Sequence, residues 1–219
     1  MAIILEACTN WATFDDARKM VELGKEGGAS FVKFQLYDSH EDVGTPHYQW
    51  VRDHELTFDQ ARELFLYGAE IGIEVFFTPF GAKYVYWCEL IGVKRYKIAC
   101  GFRDMQAISA IRETGKPIFR SVFNVNDGWA GDINLYCVPH YPTEHGEIKF
   151  PSFHNFCDGW SDHVIGIDAA KIALARGAKY VEKHFCLSHD DKGPDVAWSM
   201  DLTDLRELVR WDKLCQDVK

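Results

Sequence analysis

Short runs of alternating apolar and polar residues recur along the chain, separated by longer stretches with apolar residues three and four apart. The runs are AIILEA (2–7), FVKFQLY (31–37), EVFFTPF (74–80), RYKIACG (95–101), PIFRSVF (117–123), INLYCV (133–138), GWSDH (159–163) and KYVEKHF (179–185). They are rich in Val, Ile, Phe and Tyr, and each reads as a strand. FDDARKMVELGKEGG (14–28), TFDQARELFLYGAEIG (57–72), IDAAKIALARGA (167–178) and LTDLRELVRWDKLCQDV (202–218) carry the helical spacing. The Gly27-Gly28 pair is a helix stop, Thr57 an N-cap, and Gly72 the end of the helix that Thr57 begins. Eight strands with helices between most of them predict a closed parallel barrel, a compact (β/α)8 TIM barrel, rather than an open sheet. The weak places are NVNDGWAGD after the fifth strand, too short and Gly-rich for a full helix, and the segment after the sixth. One or more outer helices should therefore be reduced. The stretch 38–56 is expected to be irregular and to lie over the top face. No repeat or linker divides the chain, so 1–219 is read as one barrel domain.

Alternation sets which side chains share a face. It places Glu182 with His184 in the eighth strand, opposite Val181, Lys183 and Phe185. Lys33 goes with Gln35, Glu6 with Ile4, Lys97 with Ala99, and Ser161 with His163. The inward sets thus turn polar toward the strands' C-terminal ends, where barrels of this kind keep their active sites. Lys183, on the outer set, requires a polar partner that spacing does not name. Each residue also has a plainer reading. A lone strand histidine is commonly a satisfied core group, and Lys33 or Lys97 could pair with Glu6 or Glu182 for structure alone. Cys8, Cys100, Cys137 and Cys186, near strand ends, read as small buried hydrophobes before they read as thiolate ligands.

Composition narrows the classes. A formal net charge of −9 argues against nucleic acid or an anionic membrane as partner, though not against a small anion. The start, MAIILEACTNW, has no basic region and only a short apolar run, so neither a signal peptide nor a membrane anchor is expected. Seven scattered cysteines without a CxxC pair point away from a disulfide framework and toward a reduced, cytoplasmic compartment.

Nine stretches occur in an order that resembles the sialic acid (N-acetylneuraminate) synthase family. They are ILEACTN (4–10), VKFQ (32–35), FFTPF (76–80), KIACG (97–101), KPIFRS (116–121), YPT (141–143), GWSDHVIG (159–166), EKHF (182–185) and GPD (193–195), with Ser199 beyond. The resemblance implies a (β/α)8 barrel that condenses phosphoenolpyruvate with the open-chain aldehyde of an N-acetylated amino sugar, releasing phosphate. It implies a divalent metal, Mn²⁺ first and Mg²⁺ or Co²⁺ otherwise, held by His163 and His184. By the same resemblance Lys33 and Lys97 hold the carboxylate and phosphate of phosphoenolpyruvate, and Thr78, Ser121 and Ser161 supply hydroxyl donors. Glu6, Gln35 and Asp195 match positions that contact the sugar, and Tyr141 lines the pocket. Glu6, Lys33, Lys97 and Tyr141 form the expected catalytic set.

The chain departs from the family pattern at several of these places. Cys100 replaces a phosphate-binding serine, and Phe102 replaces an acidic residue credited with proton handling. Pro139 replaces a common asparagine, Trp11 a histidine, and Val196 another histidine. Asp104 or Glu6 could stand in for the missing acid. The chain stops at Lys219, so the C-terminal antifreeze-like domain of relatives is expected to be absent. A homodimer or a separate partner subunit could then complete the site. Two alternatives to a synthase follow: a metal-dependent lyase, aldolase or isomerase on another oxyanion, and a degenerate barrel that only binds.

Overall fold

The computed structural model describes residues 1–155 and 157–217. Eight parallel strands close into a barrel in chain order: β1 (Ala2–Glu6), β2 (Phe31–Leu36), β3 (Glu74–Pro79), β4 (Tyr96–Ile98), β5 (Ile118–Val122), β6 (Ile133–Cys137), β7 (Gly159–Asp162) and β8 (Tyr180–His184). The last pairs back onto the first, Glu6 opposite His184. Around them lie α1 (Phe14–Gly27), α2 (Tyr48–Asp53), α3 (Phe58–Ile71), α4 (Ala82–Ile91), α5 (Met105–Glu113), α6 (Asp168–Ala175) and α7 (Leu202–Asp217). Among the described residues after β5 and β6, only single 3-10 turns stand where outer helices would be, Val125–Asp127 and His145–Glu147. The barrel is pared down at the two expected places.

Local chemistry sets the helix ends. Thr13 and Asp16 form a capping box at the start of α1, and Thr57 with Gln60 does the same for α3. Gly28 closes α1 at φ 88°, a left-handed conformation that a side chain would disfavour. The helix expected over 167–178 is shorter, Asp168–Ala175, and 38–56 is not wholly irregular because it contains α2. No described residue of α2 is buried, so it has no apolar stripe to betray it.

Two cores result. The larger lies between barrel and helices, with Phe34, Phe77, Trp160 and Val181 on its strand side. The smaller fills the lower barrel interior, where Ile4, Phe76, Phe119 and Leu135 pack with Phe31, Ile133 and Tyr180. Arg95 lies with its guanidinium 4.4 Å from the Phe31 ring centre and pairs with Glu74 at 2.6 Å. This apolar plug fills the lower interior, leaving the upper part to polar side chains.

Candidate active site

Above the plug the inward set becomes ionisable. Lys33 donates to Glu6 and, at 2.9 Å, to Thr78 Oγ1. Lys97 donates to Glu182 Oε1, which also accepts from Ser161 Oγ at 3.0 Å. Glu182 Oε2 lies 3.6 Å from Lys33 Nζ, so one carboxylate faces both ammonium groups. All four charged side chains are buried. Burial lowers the Lys33 ammonium to about 7, with the Lys97 charge adding and Glu182 opposing. Burial pushes Glu182 up, yet Lys33 and Lys97 outweigh it and hold its carboxyl at about 2.

These groups line a cavity of about 60 Å³ at the barrel mouth, together with Gln35, Ser121, Tyr141, His163 and His184. The two imidazoles sit at the ends of β7 and β8 with ring centres 5.4 Å apart. Burial depresses the basicity of both, His163 to about 3 and His184 well below its ordinary value, so each is neutral and able to offer a lone pair. His163 Nδ1 lies 3.8 Å from Cys137 Sγ, and the Tyr141 ring centre lies 4.2 Å from its own, the two planes tilted by 57°. His184 Nδ1 is buried without a hydrogen-bond partner.

Two larger openings adjoin this cavity. One, about 420 Å³, is lined by Cys8, Gln35, Tyr37, Val51, Phe80 and Asp195. Gln35 borders both spaces. The other, about 610 Å³, lies over β4 and β5 and includes Cys100, Phe102, Arg103, Arg120, Ser121 and Pro139. Ser121 Oγ and one Arg120 Nη have no partner although buried. Arg120 is held through Nε by Asp132 at 2.8 Å. Sequence reasoning passed over Arg120; its signal was a guanidinium between Phe119 and Ser121 in a strand. Asp104, one stand-in for the missing acid, is occupied capping α5 through the amides of Gln106 and Ala107. Glu6 lies in the site.

Among the described residues, two sets of side chains could hold a metal. His189, Asp201 and Asp204 lie toward the surface, with His189 exposed. Cys8, His184 and Asp195 bring a sulfur, a nitrogen and an oxygen within 4.8 Å of one another at the mouth. Cys8 Sγ donates to Asp195 Oδ2 at 2.8 Å, and His184 Nδ1 is 3.6 Å from the same oxygen. An orphaned imidazole nitrogen beside a thiol and a carboxylate is a donor set that fits a divalent cation. Cys8 is buried, as expected of a small hydrophobe, but its sulfur faces polar groups.

A closed parallel barrel with its ionisable groups gathered at the C-terminal ends of the strands has the layout of barrel enzymes. The NeuB family model matches residues 20–124 and 129–216, and the chain belongs to that family. An uncharacterized protein of Methanocaldococcus jannaschii is 30% identical over 217 residues, covering 89% of this chain and 64% of that protein. An N,N'-diacetyllegionaminic acid synthase of Campylobacter jejuni is 27% identical over 245 residues, covering 94% and 73%. The chain thus spans roughly two thirds of the length of these curated relatives. An N-acetylneuraminic acid synthetase from Leptospira borgpetersenii, solved with citrate, superposes with a TM-score of 0.80 at 22% identity, over 99% of this chain and 84% of that one. That likeness is one of fold. No helix of the described residues is long and apolar enough to cross a membrane.

Proposed function

We propose that the chain condenses phosphoenolpyruvate with the aldehyde form of an N-acetylated amino sugar to give a nonulosonic acid and phosphate. One observation carries this reading beyond family membership. Lys33 from β2 and Lys97 from β4 converge on Glu182, beside two neutral imidazoles. In the unliganded protein the two ammoniums are offset by Glu6 and Glu182. A small polyanion entering the mouth would find both within reach, and charge-assisted hydrogen bonds of this kind are the stronger class. Ser121 and Arg120 line the adjoining opening together with Cys100, Phe102 and Pro139.

In the proposed reaction, C3 of phosphoenolpyruvate forms a bond to the aldehyde carbon, water adds at C2, and phosphate leaves by C–O cleavage. A divalent cation at His184, with His163 beside it, would supply Lewis-acid polarisation of the aldehyde oxygen. Lys33 and Lys97 orient the enolpyruvate and offset its charge. Gln35, between cavity and opening, is placed to bind sugar hydroxyls, and Tyr141 walls the site over His163. Glu6 is the buried carboxylate available for proton transfer with Lys33, its hydrogen-bond partner.

Purified protein supplied in turn with Mn²⁺, Co²⁺ and Zn²⁺, with phosphoenolpyruvate and a panel of N-acetylated hexosamines, should release phosphate only when both substrates are present. Absence of release across the panel rejects the reading. Tight pyruvate binding without phosphoenolpyruvate binding would point instead to a lyase or aldolase acting on a keto acid.

A further inference from the structure

We propose that Cys8 is a metal ligand, so that the centre is a sulfur–nitrogen–oxygen site of Cys8, His184 and Asp195 preferring Co²⁺, Zn²⁺ or Fe²⁺ over Mn²⁺ and Mg²⁺. This deepens the synthase reading by naming the metal class of the same site, which two imidazoles alone would leave open to harder ions. Three observations converge. The donor atoms of these residues lie within 4.8 Å of one another. His184 Nδ1, on a side chain more than nine-tenths buried, has no other partner and lies 3.6 Å from the Asp195 carboxylate. Cys8 is the one non-glycine residue at positive φ among the described residues, at 46°.

Strained backbone of that kind persists where the surroundings impose it, and it gathers at functional sites. Here the surroundings can be named. Glu6 Oε1 accepts from the Cys8 amide at 2.8 Å, and Trp11 Nε1 donates to the Cys8 carbonyl at 3.1 Å. Asn10 Nδ2 donates to the Phe185 carbonyl and to Ser199 Oγ, and Ser199 in turn donates to the Asp195 carbonyl. The turn after β1 is thus clamped to the two other segments that supply donors. A cysteine filling space needs none of this, since glycine would take the same backbone without strain. The proton that Cys8 shares with Asp195 is the one a cation displaces: the thiol loses it to solvent and the sulfur binds as thiolate. Thiolate sulfur favours softer ions. Three protein donors leave a further coordination position open, as catalytic metal sites do.

Cobalt titration of the chelator-treated full chain tests this without reference to turnover. The wild type should show visible d–d bands together with a near-ultraviolet thiolate-to-cobalt charge-transfer band. Cys8→Ser and Cys8→Gly should lose the charge-transfer band and bind Co²⁺ at least about tenfold more weakly, since even outer-shell changes cost that much. Their preference should move toward Mn²⁺. Cys8→Gly guards against misfolding, because it relieves the positive φ. Three results would overturn the proposal: d–d bands without charge transfer in the wild type, a band that survives in both Cys8 variants, or a band lost in Cys137→Ser instead. Phosphate release with a cobalt spectrum lacking charge transfer sinks this proposal and spares the synthase. A thiolate band without condensation on any substrate does the reverse.

Discussion

Lys183 Nζ lies 3.1 Å from Asp162 Oδ2 on the outer face of the barrel, and neither side chain has measurable solvent exposure. The ammonium also donates to the Val164 carbonyl at 2.8 Å, while Asp162 Oδ1 accepts from the Val164 amide. The pair ties β7 and β8 together just below the two histidines and fixes the chain as it leaves β7.

Removing one partner leaves a buried charge unpaired, which costs about 3–5 kcal/mol. Asp162→Ala should therefore lower the thermal midpoint by roughly 6–20 °C in a domain of this size. Replacing both by apolar residues of similar volume, Asp162→Leu with Lys183→Met, should recover much of that. A double variant no more stable than the single would show that the ion pair was not the source of the loss.

This pair marks how far the sequence could be read. Alternation put Lys183 on the outer face and required a polar partner. Asp162 shares that face in β7, but the pairing depends on inter-strand register, which no single strand encodes. The barrel itself was legible because eight apolar runs repeat between helical stretches, and the two reduced connections showed as Gly-rich or pattern-poor segments. Helix α4 was harder to see. Tyr84, Tyr86 and Trp87 spread aromatic surface around it, and Tyr86 is exposed, so no clean stripe forms. At the mouth, the lysines, carboxylates and histidines fell on the expected faces. The Cys8 thiol and the Arg120 guanidinium did not stand out. Cys8 acts through a turn whose conformation sequence spacing cannot give, and Arg120 lies on the face opposite the expected site residues.

Cys100 should be the reactive thiol. A hydrogen bond from Cys137 lowers its pKa to about 7 against the effect of burial, and the Lys97 charge assists. Burial raises Cys8, Cys88, Cys157 and Cys186, and the hydrogen bond to Cys100, with burial adding, raises Cys137. The thiolate is the nucleophile, so alkylation of Cys100 should rise with pH to half its maximum near 7 and then level off. Peptide mapping after brief iodoacetamide treatment checks this, and phosphoenolpyruvate should slow the modification. Modification spread evenly over the cysteines would contradict it.

Lys33 links pH to both stability and binding. Its ammonium is lowered to about 7 in the folded protein, whereas an unfolded lysine titrates near about 10.4. Between those values the unfolded chain holds a proton that the folded one has lost. Stability from this group is therefore complete above the unfolded value and is lost as pH falls toward 7. Anion binding has the opposite sign, because a bound phosphate or carboxylate favours the charged lysine. Affinity for phosphoenolpyruvate should fall above pH 7 by up to about tenfold per pH unit, with uptake of up to about one proton at pH 8. Calorimetric titration in two buffers of different ionisation heat measures that uptake. A value of zero would mean that Glu6 already keeps Lys33 charged.

Glu182 competes with the anion the site is proposed to bind. Its Oε1 accepts from Lys97 and Ser161, and its Oε2 faces Lys33 at 3.6 Å without a hydrogen bond of its own. With Glu6 it balances the two ammoniums, so an entering anion must take over contacts that Glu182 holds. Glu182→Gln keeps the shape and removes the charge, leaving Lys97 without its carboxylate and Lys33 with Glu6 alone. The unliganded variant should lose on the order of 3–5 kcal/mol, the cost of breaking a buried pair. Inorganic phosphate should restore much of that loss, because ligand that binds only the folded state stabilises it in proportion to the logarithm of its concentration over Kd. Phosphate affinity should rise about tenfold, the change expected if the carboxylate and the ligand share the same donors at a cost near 1.4 kcal/mol. Thermal unfolding with and without phosphate reads both effects in one series. If affinity falls instead, Glu182 is holding the lysines in position for the anion, and its loss lets them turn away.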